Sequence, residues 1–353
     1  MEKSSKFSLS DLTIPIGVQL SILIIVLTTG IVISTGMGYL SIGWKDTVKI
    51  VIAKLFGNDA LLSRMDPILP TVVLDVRLPR ILTSAAVGGG LAVCGTVYQA
   101  ILLNPLADPY TLGVSAGAAF GAALAIILNI SFAGAYSITL LAFIGAVSTL
   151  ILVIYLSAGA GGLSSNNLIL SGIIVAAILS AGISFLKYLA DEQVGVIIFW
   201  LMGSFASRTW THTVLICSAV ILALIIFLAF ARDLNLLSLG KRAASSLGVN
   251  TSKVTLIILI SASLLAATCV SVSGIIGFVG LLVPHLMRGL TGPDNLRLIP
   301  VAFLTGALLL LVADTITRAV LPHEVPIGIL TALIGGPFFC YIFRRRQTKG
   351  GGL

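Results

Sequence analysis

Charge is what this sequence has least of. Only 10% of its 353 residues are charged and 58% are hydrophobic, whereas a soluble domain carries about 25% charged residues. Such a chain cannot cover a water-facing surface of ordinary size, so lipid must be its main solvent. Several apolar runs reach the roughly 18 residues that span a bilayer. The sequence therefore predicts an all-helical membrane protein.

Motifs for catalysis and metal binding are also missing. The four cysteines fall inside apolar runs without a CxxC pair, which argues against a disulfide framework or a zinc site. No GxxxxGK[ST], HExxH or GxSxG motif occurs, so an ATP site and a hydrolytic centre of these kinds are not expected. We predict no cofactor, no metal and no catalysis by this chain.

Ionisable residues are nearly absent from the apolar runs. Asp314 is the best candidate for an ion relay of the kind used by ion-coupled transporters. Arg318 lies four residues further on the same helix face, which predicts a local ion pair instead. The net charge of +8 comes without interleaved aromatics, which favours cytoplasmic loops and lipid headgroups over nucleic acid. These features indicate a passive transport subunit driven by a separate partner.

The apolar runs predict about ten transmembrane helices in one membrane domain, 1–353. An amphipathic helix is expected near 45–56, and an interfacial or re-entrant helix within 194–205. Pro284 is expected to interrupt the eighth span. The predicted spans are 16–37, 78–102, 112–128, 137–157, 167–189, 210–230, 252–272, 274–288, 297–320 and 326–343.

An even number of spans places both chain ends on one side of the membrane. The positive-inside rule marks that side as cytoplasmic, because basic residues gather in the loop 231–253 and in the C-terminal tail. The basic residues of the tail are Arg344, Arg345, Arg346 and Lys349.

Four polar or Pro/Gly-rich stretches separate the apolar runs. They are RLPR at 77–80, which opens the second predicted helix, NPLADP at 104–109, the segment 237–248, and GFVGLLVPH continuing to Arg288. With Ala313-Asp314, Arg318 and the segments 324–328 and 336–339, they resemble the permeases of FecCD-like type II ABC importers, which take up iron-siderophores, haem and vitamin B12. The resemblance extends from about 77 to 344.

This resemblance implies a ten-helix permease in the inner membrane of a bacterium or archaeon. It also implies a homodimer, two cytoplasmic ATPase subunits and an extracytoplasmic substrate-binding protein. In these permeases the second half repeats the first, and the sequence shows only a faint echo of that repeat.

Three arginines on the predicted outer side, Arg77, Arg80 and Arg318, match the family's docking residues for the binding protein. A guanidinium suits this role because it stays charged and binds carboxylates in a bidentate manner. The alternative is that these side chains reach toward lipid headgroups.

The segment 236–249 matches the family's coupling helices, which contact the ATPase. We expect Leu237, Leu239, Leu247 and Val249 to be exposed together, which an ordinary solvated loop would not explain. The residues assigned to ATPase coupling are Leu239, Gly240, Ala243, Leu247 and Gly248.

Two predicted cytoplasmic turns match the family's gate. Asn104 and Leu106 belong to the turn between the second and third helices, and Ser165 and Asn166 to the turn between the fourth and fifth. Asn104 could instead cap the turn before Pro105.

The cargo is left open by the sequence. A metal chelate comes first because it is commonest in the family, and an oxyanion such as molybdate or tungstate is the alternative. Less favoured are an ion-coupled secondary transporter, which lacks an ion site, and a structural or receptor protein, for which the segment 236–249 would have no purpose.

Overall fold

The computed structural model describes residues 15–38, 40, 42–58, 65–158, 164–321 and 323–349, and these form helices without a strand. The predicted polar N-terminus, 1–10, lies outside the described residues, as do the side chains of Arg345, Arg346 and Lys349. The helices are α1 Ile16–Gly36, α2 Trp44–Leu55, α3 Ile68–Ile101, α4 Val114–Ile127, α5 Ser137–Ser157, α6 Ser165–Leu189, α7 Val194–Leu201, α8 Trp210–Ala229, α9 Ala231–Leu237, α10 Lys241–Ser246, α11 Thr251–Ser273, α12 Val279–Thr291, α13 Asn295–Ala319 and α14 Ile327–Lys349.

The predicted all-helical membrane fold is confirmed. Within the described residues, seven helices are long and apolar enough to cross a membrane, namely α1, α3, α5, α6, α8, α11 and α13. The shorter helix α4 and the part Ile327–Tyr341 of α14 are also apolar, and with α12 they correspond in position to the other three predicted spans. The amphipathic helix and the interfacial helix appear as α2 and α7, close to their predicted positions.

Two groups of four helices share one contact pattern. The series α3, α4, α5, α6 and the series α11, α12, α13, α14 each have a short second helix, of 14 and 13 residues. Helix α3 packs against α12 and α13, and α11 packs in the same way against α4 and α5. The internal repeat implied by the family resemblance is therefore visible in the helix packing, although the sequence barely shows it.

The two series meet at glycines that let helix backbones touch. A Cβ added to Gly88 of α3 would lie 2.3 Å from the carbonyl oxygen of Gly306 in α13. One added to Gly95 of α3 would lie 1.7 Å from the carbonyl oxygen of Gly280 in α12. Small residues at such contacts allow the close backbone approach that stabilises helix pairs in lipid.

The RLPR stretch does not open its helix as predicted, because α3 begins ten residues earlier, at Ile68. The chain makes a π-helical turn over Val72–Arg77, and the Leu78 N–H donates to the Val73 carbonyl, five residues back. Pro79 follows at the point where the helix returns to α geometry. The helix continues past it although proline has no backbone N–H to donate.

The eighth span also differs from its prediction. Pro284 lies inside α12 without ending it, and α12 begins at Val279 instead of 274. The delay has a backbone cause, because Gly274 and Phe278 both adopt positive φ, 72° and 68°, which a continuing right-handed helix excludes.

Candidate functional site

A cluster of charged side chains lies at one end of α13, and a pair of short helices lies at the other. We call the end formed around Arg77, Arg80 and Arg318 the arginine end. We call the other end the coupling end. It is formed by the helices α9 and α10, which overlap the predicted coupling segment 236–249. Helix α13 has 25 residues, so at 1.5 Å per residue it extends about 37 Å from one end to the other.

At the arginine end, two guanidinium groups cap the C-terminus of α1. Arg77 donates from Nη1 to the carbonyls of Thr35 (2.8 Å) and Gly36 (3.1 Å), and from Nη2 to the carbonyl of Leu40. Positive groups at a helix C-terminus satisfy its unpaired carbonyls and complement its dipole. Arg77 is only 5% exposed, and this cap explains its burial without a carboxylate.

Arg318 completes the same cap from α13. Its Nη1 donates to the Met37 carbonyl (2.6 Å) and its Nη2 to the Ser34 carbonyl (2.9 Å). Gly38 lies between the two arginines at a φ of 149°, and a Cβ there would meet Arg77 Nη2 at 2.7 Å and Arg318 Nη1 at 3.0 Å. The chain leaving α1 therefore needs a glycine at this position.

Arg80 is the centre of a second contact, which joins three segments. Its Nε and Nη2 donate to Asp314 Oδ1 of α13 at 3.0 and 2.8 Å, and Nη2 also donates to Glu324 Oε1 at 2.6 Å. The Asp314 side chain is 1% exposed and that of Glu324 is 41% exposed. Arg80 thus links α3 to α13 and to the segment before α14.

The predicted local ion pair of Asp314 with Arg318 is present, with Arg318 Nε 3.8 Å from Asp314 Oδ2, but it is not the main contact of Asp314. That distance is beyond hydrogen-bond range, whereas Arg80 binds the carboxylate directly. The sequence spacing could not reveal this, because Arg80 lies 234 positions away.

The burial of the three arginines bears on their predicted docking role. Arg77 and Arg80 are 5% and 8% exposed, and the side chain of Arg318 is 11% exposed. Their guanidinium groups donate to carbonyls in and just after α1 and to two carboxylates of the same chain. Contact with a binding protein stays a prediction, and the geometry adds a structural role that the sequence did not suggest.

At the coupling end, α9 and α10 form a compact pair with one buried and one open side. Leu239 and Leu247 are 66% and 60% exposed. The prediction for the other two apolar residues is wrong, since Leu237 and Val249 are 3% and 8% exposed. The turn of α9 directs Leu237 into the core, together with the fully buried Ala244 of α10.

Glycines shape the coupling end as expected. Gly240 separates α9 from α10 at a φ of 100°, and Gly248 follows α10 at 90°, a region that favours glycine. Ala243 is half-buried between them. All five residues assigned to coupling lie in α10 and in the two turns that flank it.

The two predicted gate segments lie at the ends of helices that lead toward the coupling end. Asn104 Oδ1 accepts from the Leu106 N–H at 2.9 Å. This is the turn-capping geometry that we considered as the alternative to a gating role. Leu106 is 45% exposed. Ser165 and Asn166 lie in the first turn of α6, after the cap residue Ser164, and not in a turn as predicted. Their gating role stays a prediction.

Apolar cavities line the faces of α13. One of about 350 Å³ lies between α12, α13 and α14, and another, of about 450 Å³, lies between α1 and α13. Leu333 and Ile334 of α14 are 68% and 57% exposed. Across the described residues, no group of three His, Cys, Asp or Glu side chains is placed to hold a metal ion.

The fold defines the class of this protein. A solved structure described as an inward-facing conformation of a metal-chelate type ABC transporter matches it with a TM-score of 0.80 and 36% sequence identity, over 92% of this chain and 98% of that chain. The protein is thus a multi-pass permease of an ABC importer, and such permeases work with ATPase and substrate-binding partners.

The chain belongs to the FecCD transport family, whose model matches residues 23–345. It is 40% identical to the hemin transport system permease protein HmuU of Yersinia pestis, over 94% of this chain and 96% of HmuU. It is also 40% identical to the molybdate import system permease protein MolB of Haemophilus influenzae, over 93% and 95% of the two chains. The family resemblance seen in the sequence is confirmed.

Proposed function

We propose that this chain imports a metal chelate across the cytoplasmic membrane as the passive part of an ATP-driven transporter. The observation that carries the proposal is the coupling end, where Leu239 and Leu247 point outward from a helix pair whose other side is buried. Large apolar side chains exposed together outside the membrane mark a partner surface. We assign that partner as the ATPase, with one ATPase for each of two permease copies.

This assignment can be tested by changing the open side alone. Leu239→Asp should abolish co-purification of the ATPase, because a carboxylate would be buried without a partner in an apolar contact. It should leave the permease itself intact, since Leu239 is exposed. The matched control, Leu239→Met, keeps an apolar side chain and should retain the ATPase. Full retention by Leu239→Asp would remove the coupling assignment.

The arginine end is proposed as the docking face for the binding protein. The cluster contains three arginines, Arg77, Arg80 and Arg318, but only two carboxylates, so it carries a net positive charge. This charge supports a complementary acidic partner. In the loop before α8, burial and then the nearby Arg80 lower the pKa of Arg208. Arg208 is thus a fourth positive group close to Arg80 at this end.

The two roles of Arg77, capping α1 and attracting the partner, separate experimentally. Arg77→Gln and Arg77→Glu both remove the cap, so both should reduce thermal stability. Only Arg77→Glu reverses the charge, so it should weaken binding-protein affinity further, and by more at low salt than at high salt. Equal affinities for the two variants at low salt would argue against a docking role.

The cargo proposal rests on the family and on its relatives. A metal chelate is the first candidate, and a molybdate-type oxyanion is the second because MolB is as similar to this chain as HmuU is. The partner binding protein should decide between them. Purified without added ligand, it should retain a ferric chelate, haem or cobalamin; retention of molybdate or tungstate instead would establish the alternative.

A second copy of the chain is proposed to pack on the open face of α14. In such a dimer the cargo pathway would run between the two permeases. Its cytoplasmic end would be closed by Asn104, Leu106, Ser165 and Asn166. The exposed Leu333 and Ile334 and the adjoining apolar cavity are the supporting features. In a Cys340→Ser background, which removes the exposed natural cysteine of α14, Leu333→Cys should give a cross-linked dimer in membranes, whereas Leu310→Cys, at a buried position, should not.

A further inference from the structure

Three side chains join the coupling end to the start of α13. Asn235 of α9 donates from Nδ2 to Asp294 Oδ1 at 2.7 Å. The Asn235 Oδ1 accepts from the backbone N–H and from the Nδ2 of Asn295, both at 2.8 Å. We call this set of Asn235, Asp294 and Asn295 the amide clamp.

The chemistry of the clamp is specific to its residues. Asp294 is the N-cap of α13, because its Oδ1 also accepts from the Leu296 N–H, a geometry that fixes the helix start. Asn295 is 3% exposed. The Asn235 amide donates to the cap carboxylate and accepts from Asn295 at the same time, so this one side chain ties α9 to both.

The other end of the same helix carries the arginine cluster. Asp314 binds Arg80, and Arg318 caps α1, so the far end of α13 positions the groups of the arginine end. Between the two ends, the backbone contact of Gly306 with Gly88 holds α13 against α3. A shift of α13 at its start therefore displaces the cluster as part of one packed body.

We propose that Asn235 is a positioning residue that transmits movement of the coupling helices through α13 to the arginine end. This rests on the proposed function, since it assumes an ATPase at one end and a binding protein at the other. The covalent connections of the α9–α10 pair lead to α8 and α11, α9 packs against α3, and the amide clamp adds a polar side-chain connection to α13. Its purpose is communication between the two partners, not attachment of either.

The inference predicts a separation of two measurements. With Asn235→Leu, the ATPase should still co-purify, because Leu239 and Leu247 are unchanged. Stimulation of ATP hydrolysis by the cargo-loaded binding protein should be lost, and cargo imported per ATP should fall. Arg297→Ala is the matched control: Arg297 is an exposed neighbour of Asp294 at 3.7 Å, outside the clamp, and stimulation should persist.

A swap of the two polar groups guards against a merely structural effect. Asn235→Asp alone should impair stimulation, because it places two carboxylates together. Asp294→Asn alone should have little effect, because it keeps the Oδ1 that accepts from Asn235 and Leu296. The double variant restores one donor and one carboxylate, and an asparagine at 294 still caps the helix. Recovery of stimulation in the double variant is the expected result.

The outcomes are distinguishable from a failure of the proposed function. If the unmodified permease retains no ATPase, the proposed function fails before the clamp is tested. If Asn235→Leu is folded, binds the ATPase and keeps full stimulation, the inference is overturned. If Asn235→Leu does not fold, the swap decides: a folded double variant without recovered stimulation overturns the inference equally.

Discussion

Removing Arg80 should damage this protein more than any other single change at the arginine end. Asp314 is 1% exposed and receives its hydrogen bonds from Arg80, while the next cation, Arg318, is 3.8 Å away. Breaking a buried ion pair by removing one partner costs about 3–5 kcal/mol, because the other charge stays buried. Arg80→Leu should therefore lower the free energy of unfolding by about this amount.

The structure also ranks the other members of this cluster. Asp314→Leu should cost less than Arg80→Leu, because Arg80 keeps its contact with Glu324. Glu324→Leu should cost about 0–1 kcal/mol, the range of exposed pairs, since its side chain is 41% exposed. Double replacement of Arg80 and Asp314 by Leu should be less harmful than the sum of the single changes.

The assay is reversible unfolding in mixed micelles by increasing SDS, followed by tryptophan fluorescence and analysed as a double-mutant cycle. A coupling energy of about 0.5–3 kcal/mol between Arg80 and Asp314 is expected for contacting residues. Strictly additive single changes would refute the pairing. So would a cost for Glu324→Leu equal to that of Asp314→Leu.

Further changes test the packing of α3 and the shape of the coupling end. Gly95→Ala should lower stability by about 1–3 kcal/mol or more through overpacking against α12, whereas Gly17→Ala, with no atom within 4 Å, should be neutral in the same SDS titration. Tyr98→Phe should cost about 1–3 kcal/mol, because it leaves the buried Ser263 hydroxyl, now 2.5 Å from the tyrosine oxygen, without that partner; an unchanged midpoint would count against this bond. Gly240→Ala should reduce ATPase co-purification more than permease stability, since strain at its φ of 100° falls on an exposed turn, and the opposite order would contradict this.

Much of the helix arrangement could be predicted from the sequence, because burial in lipid demands long apolar runs. The termini of α5 match their prediction at Ser137 and Ser157. Errors arose where backbone geometry overrides the pattern, as at the π-helical turn before Leu78. The positive φ of Phe278 is another such case, because nothing in its residue type announces it.

The sequence drew attention to both candidate regions but did not predict the contacts within them. The motif containing Arg80 drew attention to the arginine end, yet its pairing with Asp314 depends on packing between distant helices. Asn235 and Asn295 escaped notice because a polar residue in a loop and another at a helix start are both ordinary. Their only signal was Asp294, a typical N-cap residue before an apolar run.

The most direct test of the account is cargo uptake into proteoliposomes in the presence of the binding protein and ATP. The permease reconstituted with its ATPase should import cargo, and the permease alone should not, whether or not a proton or sodium gradient is imposed. Uptake by the permease alone in response to an ion gradient would contradict the account and establish an ion-coupled transporter instead.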